Sequence, residues 1–450
     1  VHLTGRFVLS AVFVLISATA CSLLSPPEGP VIPAPPAPAP VVDLSDLELV
    51  VNPVGSVAPA VDPDIAALVN SVSEQQLLAY VQTLENFGTR NTFSDTQRDD
   101  FGIGAARRWI HDEFLRVNGG ALQVTYEDFP ANIDGRATNQ RNVIAILPGI
   151  GNHQGAIVIS AHYDSRTNDM LDGNNLAPGA DDNGSGVALL LELARLLSSR
   201  SWNQTIIFAA FAAEEQGTFG SRHFVQNSML GGRTLDLIVN NDIVGGRAGI
   251  PQSIRLFSPG PDTTTSRQLA RYLKLVGGLY TPALGIDMID ALDREARWSD
   301  HREFINAGIP GVRLTESVED FANQHSSGDT ADKIDYAYLR QVAQLNLAVL
   351  GNLAGAPPAP AAPAVTPMAD PGSYILNWLP DPSAAGYAIS FRPLGTEDYP
   401  PFRFVSVAEA GNVAYTDLDT QTNYAVSLAA LDANGRISGF SPEIIVQPAP

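Results

Sequence analysis

Between residues 73 and 355 the hydrophobic positions alternate between a helical and a strand-like period. Ser73–Phe87 and Thr96–Val117 carry apolar residues at helical spacing. Short β-rich runs follow at Leu122–Tyr126, Asn142–Leu147 and Ala156–Ala161. Gly186–Leu197 then predicts a helix, Thr205–Phe211 a buried strand, Phe219–Gln226 a helix and Leu235–Val244 a strand. Arg267–Val276 and Tyr336–Leu353 predict further helices, with a strand near Val312–Thr315. Strands alternating with helices predict an α/β body whose sheet is mixed, largely parallel and flanked by helices. In such sheets ligands gather at the carboxyl ends of the strands.

After residue 366 the period shortens. SYILNWL, AGYAISFRP, FRFVSVA, NYAVSLAALD and EIIVQP predict the strands of a small all-β sandwich, with Trp378, Tyr387, Leu418 and Tyr424 in its core. Two proline-rich stretches frame the α/β body. Residues 26–40 (PPEGPVIPAPPAPAP) cannot pack a core and predict an extended spacer, and APPAPAAPAVTP marks a second linker. The expected organisation is a leader (1–20), a spacer (21–60), the α/β body (61–355), a linker (356–366) and the sandwich (367–450).

Arg6 precedes the apolar run Phe7–Ile16, which is too short for an ordinary transmembrane helix. Ser17, Ala18, Thr19 and Ala20 follow, and then Cys21, the only cysteine of the chain. The string resembles a bacterial lipoprotein signal, which implies export, lipidation of Cys21 and a membrane anchor. Ala18 stands where leucine is usual, so a plain secretory signal stays open. The formal charge of -21 and the lack of a basic run interleaved with aromatics argue against nucleic acid as a partner.

Ionisable residues fall where the strands are expected to end. His162 and Asp164 follow AIVISA, and Asp182 lies in PGADDNGSG before a helix. Glu214 and Glu215 close TIIFAAFAAEE, Asp242 closes LDLIVNND, and His325 opens HSSGDT. One acid after a strand is ordinarily a solvated loop residue; a series at successive strand ends is not. Zinc accepts histidine nitrogen and carboxylate oxygen, and a carboxylate can bridge two ions. The lack of cysteine in the set argues for a catalytic rather than a structural site, and no HExxH string occurs.

Taken together, HYD (162–164), GADDNGSG (179–186), AAEEQGTFGS (212–221), NND (240–242) and HSSGDT (325–330) resemble the co-catalytic two-zinc aminopeptidase family. That family includes bacterial leucyl aminopeptidases and, more distantly, glutamate carboxypeptidase and glutaminyl cyclase. The resemblance implies two Zn2+ per chain, with Asp182 bridging, His162 and Asp242 completing one site, and Glu215 and His325 the other. It implies Glu214 as general base, Asp164 orienting His162, and a cis peptide at Asp182–Asn183. The implied activity is hydrolysis of amino-terminal residues from peptides or proteins by a two-zinc-activated water. A carboxypeptidase or dipeptidase of the same family stays open, because Arg294, Arg297, Arg302 and Arg313 fall near the expected pocket. So does a non-catalytic, peptide-binding surface lipoprotein.

Ser299, Asp300 and His301 are expected to shape the pocket floor, and Glu316 to lie near the substrate amine or in a loop salt bridge. His111, His153 and His223 have no ligand partner in sequence, and Asp181 reads as a helix-start acid. The C-terminal segment resembles a fibronectin type III domain. That implies a stabilising or spacing module, or contact with glycan or cell surface.

Overall fold

The computed structural model describes residues 47–117, 119–153 and 155–447. The leader, Cys21 and the spacer up to residue 46 lie outside the described residues. Among the described residues no helix is long and apolar enough to cross a membrane.

In chain order the strands are β1 (Val50–Val51), β2 (Gln123–Ile133), β3 (Arg136–Leu147), β4 (Gly155–His162), β5 (Thr205–Phe211), β6 (Thr234–Asn241), β7 (Ser253–Phe257), β8 (Gly285–Ile289) and β9 (Gly311–Glu316). The helices are α1 (Pro63–Asn70), α2 (Glu74–Glu85), α3 (Gly102–Val117), α4 (Gly186–Leu197), α5 (Phe219–Leu230), α6 (Thr265–Tyr280), α7 (His301–Asn306) and α8 (Tyr336–Gly355). One eight-stranded sheet runs β2-β3-β5-β4-β6-β9-β7-β8. Its centre, β5-β4-β6-β9, is parallel, and antiparallel pairs flank it. Every residue of β4 is buried, as expected of a strand covered on both faces. The mixed, largely parallel sheet is therefore present as expected.

Side-chain caps set several helix starts. Asp62 accepts from the Asp64 and Ile65 amides, Ser73 from that of Gln76, and Asp335 from those of Ala337 and Tyr338. α3 begins six residues later than its periodicity predicted. Asp95 there accepts from the amides of Gln97 and Arg98, a local turn that competes with helix. The predicted strand 235–244 stops at Asn241, and Ile243 then takes φ 62°, turning the chain out of the sheet just past Asp242. The short outer strands β7 and β8 were not anticipated.

The C-terminal region forms β10 (Ala364–Pro367), β11 (Tyr374–Asn377), β12 (Gly386–Pro393), β13 (Arg403–Ser406), β14 (Asn412–Tyr415), β15 (Tyr424–Leu431) and β16 (Ile444–Val446). Two sheets, β1-β14-β11-β10 and β13-β12-β15-β16, share a buried core of Leu376, Trp378, Tyr387, Val405, Val413, Leu418 and Leu428. Tyr424 packs half-buried at its edge. Two boundaries differ from expectation. The linker's last residues belong to β10, and residues 47–60 of the spacer lie along the sandwich. β1 pairs parallel with β14, the Gly55 amide donates to Phe404 O, and that of Ala60 to Gly435 O.

The sandwich is not a tethered bead. Leu431, Ile437 and Phe440 belong to the same buried cluster as Leu269 and Leu353 of α6 and α8. Tyr272 Oη donates to Ile437 O at 2.7 Å, and Gln268 Nε2 to Ser441 O at 2.8 Å. Fully buried Arg392 pairs with Glu443 at 3.0 Å and, across the junction, with Asp262 at 2.8 Å. Removing one partner of a buried pair leaves an uncompensated charge. Arg392→Leu is accordingly expected to lower the unfolding free energy by about 3 kcal/mol in guanidinium titrations. A change below ~0.5 kcal/mol would place that junction among surface contacts.

Candidate metal centre

His162 is the last residue of β4, Asp242 follows β6, and Glu214 and Glu215 lie just beyond β5. Asp182 sits in the turn before α4, and His325 in the loop after β9. An unpaired carboxylate is costly inside a strand covered on both faces, and these acids fall within four residues of the ends of β4, β5 and β6 or, for Asp182, in the turn before α4. The seven residues singled out in the sequence meet at this edge.

Two triplets of ligand atoms gather there: His162, Asp182 and Asp242; and Asp182, Glu215 and His325. His162 Nε2 lies 3.4 Å from Asp182 Oδ1 and 3.2 Å from Asp242 Oδ1. His325 Nε2 lies 3.1 Å from Asp182 Oδ2 and 3.4 Å from Glu215 Oε2. Asp182 thus turns one oxygen to each triplet. The Asp182–Asn183 peptide is cis. Asn183 Nδ2 donates to Asn241 O at 2.9 Å, and its Oδ1 accepts from the Gly186 amide at 3.0 Å.

Asp164 differs from expectation in how it acts. Its carboxylate accepts the amides of Glu214 and Glu215, both at 3.1 Å, and so fixes the turn that carries the pair. Ala213, at φ 56°, makes that turn. His162 Nδ1 is 3.1 Å from the Asp164 carbonyl and 3.6 Å from its carboxylate, so main chain does most of the orienting.

The donor set fits a pair of divalent cations. Glu215 Oε1 is buried without a hydrogen-bond partner. Burial works to lower the pKa of His325, but Asp182 and Glu215 outweigh it and hold the imidazole up at about 9. Burial likewise opposes the charge on His162, yet Glu214 and Asp242 push its pKa well above the usual value. Both imidazoles are drawn toward the cationic form by converging carboxylates, as expected where positive charge belongs. All-oxygen-and-nitrogen ligation with a borderline donor set suits zinc.

Glu214 belongs to neither triplet but lines the same cleft, of about 330 Å³. Burial, with Asp242 and Asp300 adding to it and His162 opposing, pushes its carboxyl well above the usual range. Met170, Arg166, Arg294, Arg297 and Trp298 form the remaining walls.

Three further residues support the site. Fully buried Arg90 donates to Tyr163 O at 2.7 Å, to Gly179 O at 2.8 Å and to Pro178 O, pinning the glycine-rich turn. Asp329 accepts the Asp181 and Asp182 amides at 2.8 and 3.0 Å. Arg313, noted only as a cation near the pocket, pairs with Asp242 at 3.0 Å and Asp293 at 2.5 Å. Asp329 lies inside HSSGDT and Arg313 was among the arginines expected near the pocket, whereas Arg90 carried no signal in the sequence.

The secondary residues sort themselves. His301 Nε2 donates to Leu292 O at 2.8 Å, and burial lowers its pKa to about 4, so it is a neutral brace under the cleft. Ser299 Oγ accepts from Asn240 Nδ2, while burial pushes Asp300 up to about 7. Glu316 does not line the cleft and makes no ion pair among the described residues; burial raises it to about 8. Asp181 accepts from the Gly245 amide. His111 stacks on Tyr126 and His223 on Phe129, both outside the cleft, which His153 does not line either.

Comparison with known proteins agrees with this geometry. Residues 142–350 match the model of peptidase family M28. A probable zinc metalloprotease of Pyricularia oryzae is 36% identical over 350 residues, covering 68% of this chain and 70% of its own. One of Leptosphaeria maculans is 32% identical, covering 75% and 88%. Among solved structures, the LapA aminopeptidase of Legionella pneumophila superposes with a TM-score of 0.54 at 23% identity, over 65% of this chain and 75% of that one. An aminopeptidase from Aneurinibacillus sp. strain AM-1 does so at 0.52 and 16% identity, over 65% and 96%. These last two show a shared fold. From its kinship with the fungal proteins, the chain belongs to peptidase family M28, the metallopeptidases that its motifs led us to expect.

Proposed function

We propose that the protein is an exported, zinc-dependent aminopeptidase that holds two ions through His162, Asp182, Glu215, Asp242 and His325. The observation that carries the reading is Asp182, one oxygen toward each triplet, beside a buried Glu214 that joins neither. When bound, the two zincs would supply Lewis-acid charge and acidify water at neutral pH. Glu214 accepts the proton of the attacking water and later hands it to the leaving amine. Asp164 holds Glu214 and Glu215 by their amides, and Arg313 fixes the direction of Asp242.

Asp182, Glu215 and Asp242 would be taken up by the metals, so Glu214 is the lining carboxylate left to meet a cationic α-amine. Hydrolysis of leucine p-nitroanilide by the zinc-loaded protein is therefore expected to fall at least tenfold on N-acetylation, about the cost of one charged contact. Equal rates on the free and acetylated substrates would refute the aminopeptidase reading. The arginines of the outer walls keep a dipeptidase as the second reading.

Export through the leader, with lipidation at Cys21, belongs to the same proposal, as does a fibronectin type III-like identity for the sandwich. Its extensive burial against α6 favours a stabilising role over a surface-attachment one.

A further inference from the structure

The cleft carries guanidiniums as well as carboxylates. Arg166, Arg294 and Arg297 line it with Met170 and Trp298. Two of these guanidiniums are committed. Arg166 Nε lies 2.7 Å from Glu215, and Arg294 pairs with Asp293 at 3.1 Å and also with Glu319. Arg297 is held more loosely: its Nη1 is 3.3 Å from Gln324 Oε1 and 3.8 Å from Glu319, which Arg255 already engages at 2.6 Å. Along the ion-pair network leading out from Asp242, the guanidiniums of Arg255, Arg294, Arg297 and Arg313 face the carboxylates of Asp242, Asp293 and Glu319. One positive charge is left over. Arg297 is the most exposed of the four, at 33% against 21% for Arg255.

The local backbone presents it. Ala296 takes φ 56°, a left-handed turn uncommon for a residue with a side chain, immediately before Arg297 and Trp298 reach the cleft. Arg302 covers the Trp298 ring at 4.5 Å, so this wall is braced from outside. Against a chain of formal charge -21, a loosely held guanidinium lining the cleft is a local reversal of sign.

We propose that Arg297 is a carboxylate subsite at the rim of the cleft. The preferred substrates are then peptides that carry a carboxylate on the residue following the scissile bond. That group is either the terminal carboxylate of a dipeptide or the side chain of aspartate or glutamate in a longer peptide. With the amine beside Glu214 and the carboxylate at Arg297, the cleft reads both ends of a short substrate. This inference rests on the peptidase reading above.

The test compares kcat/KM of the zinc-loaded protein on two matched pairs: Leu-Gly against Leu-Gly-amide, and Leu-Asp-amide against Leu-Asn-amide. At least one carboxylate peptide is expected to be favoured by about tenfold, the scale of a charge-assisted hydrogen bond. Arg297→Ala should bring that ratio to within about twofold of unity. Arg297→Glu should invert it, favouring Leu-Lys-amide over Leu-Asp-amide. Discrimination in the first pair alone assigns the subsite to terminal carboxylates, and in the second alone to acidic side chains. Calorimetric binding of the same peptides to zinc-loaded Glu214→Gln protein reads the subsite without turnover and should show the same ratios. Ratios near unity in both pairs, or a preference that survives Arg297→Ala, overturn the proposal. No turnover of any peptide, with the binding difference intact, counts against the peptidase reading and leaves the subsite standing.

Discussion

Glu214→Gln is expected to lower kcat on a leucyl substrate by about 10³-fold, within the range that a positioned acid–base group contributes. The substitution keeps the shape of the side chain and removes its ability to accept a proton. Because Glu214 belongs to neither ligand triplet, the variant should bind the same amount of zinc as the parent and unfold at a similar temperature. Turnover and metal content measured on one preparation separate the two effects. A variant within tenfold of wild-type kcat would remove Glu214 from the proton path. A variant that lost zinc would move it among the ligands.

Asp182→Asn carries the second large effect, on metal binding rather than chemistry. The amide retains one oxygen, so it can serve one triplet but not both. Zinc at about 100 times Kd stabilises a folded protein by ~2.7 kcal/mol per site, or about 5 kcal/mol for two independent sites. Adding zinc to the metal-stripped parent should raise its unfolding free energy by roughly that amount, and chelation should reverse it. In Asp182→Asn the increment should fall below about half, with at most one ion bound per chain. Two ions bound with unchanged affinity would dismiss the shared carboxylate.

Much of this site was legible because an unpaired charge is costly inside a buried strand, so an acid or imidazole directly after an apolar run tends to mark a strand end. AIVISAHYD and TIIFAAFAAEE follow that rule, and His162, Glu214 and Glu215 occupy those positions. What escaped the sequence depends on partners far along the chain. Arg90 reaches carbonyls 73 and 89 residues away, and no local period marks a lone buried arginine. The late start of α3 was hidden for a different reason. Thr96–Asp100 is wholly polar and was carried into the helix by the apolar spacing beyond it, whereas the Asp95 turn holds it out. β7 and β8 are five-residue strands at the sheet's outer end, too short and too partially buried for their period to be read. The proline-rich linker marks a change of hydrophobic pattern, yet composition gave no sign that Phe440 and Ile437 would be buried in the interior shared with α6 and α8.

The pairing of β1 with β14 has a consequence for biosynthesis. Asn52 hydrogen-bonds to Thr416 across 364 residues of chain, so the segment just ahead of α1 cannot settle until that intervening stretch has been made. Contacts of such long range delay folding, because the intervening chain must be closed into a loop before they form. On a ribosome that makes the protein from its amino terminus, α1, α2 and the central sheet emerge while the surface of α6 that receives Ile437 and Phe440 is still bare. A nascent chain stalled or cleaved before residue 424 presents that apolar face to solvent and to chaperones. The strap at residues 50–51 is thus among the first described residues to be synthesised and among the last to find its place.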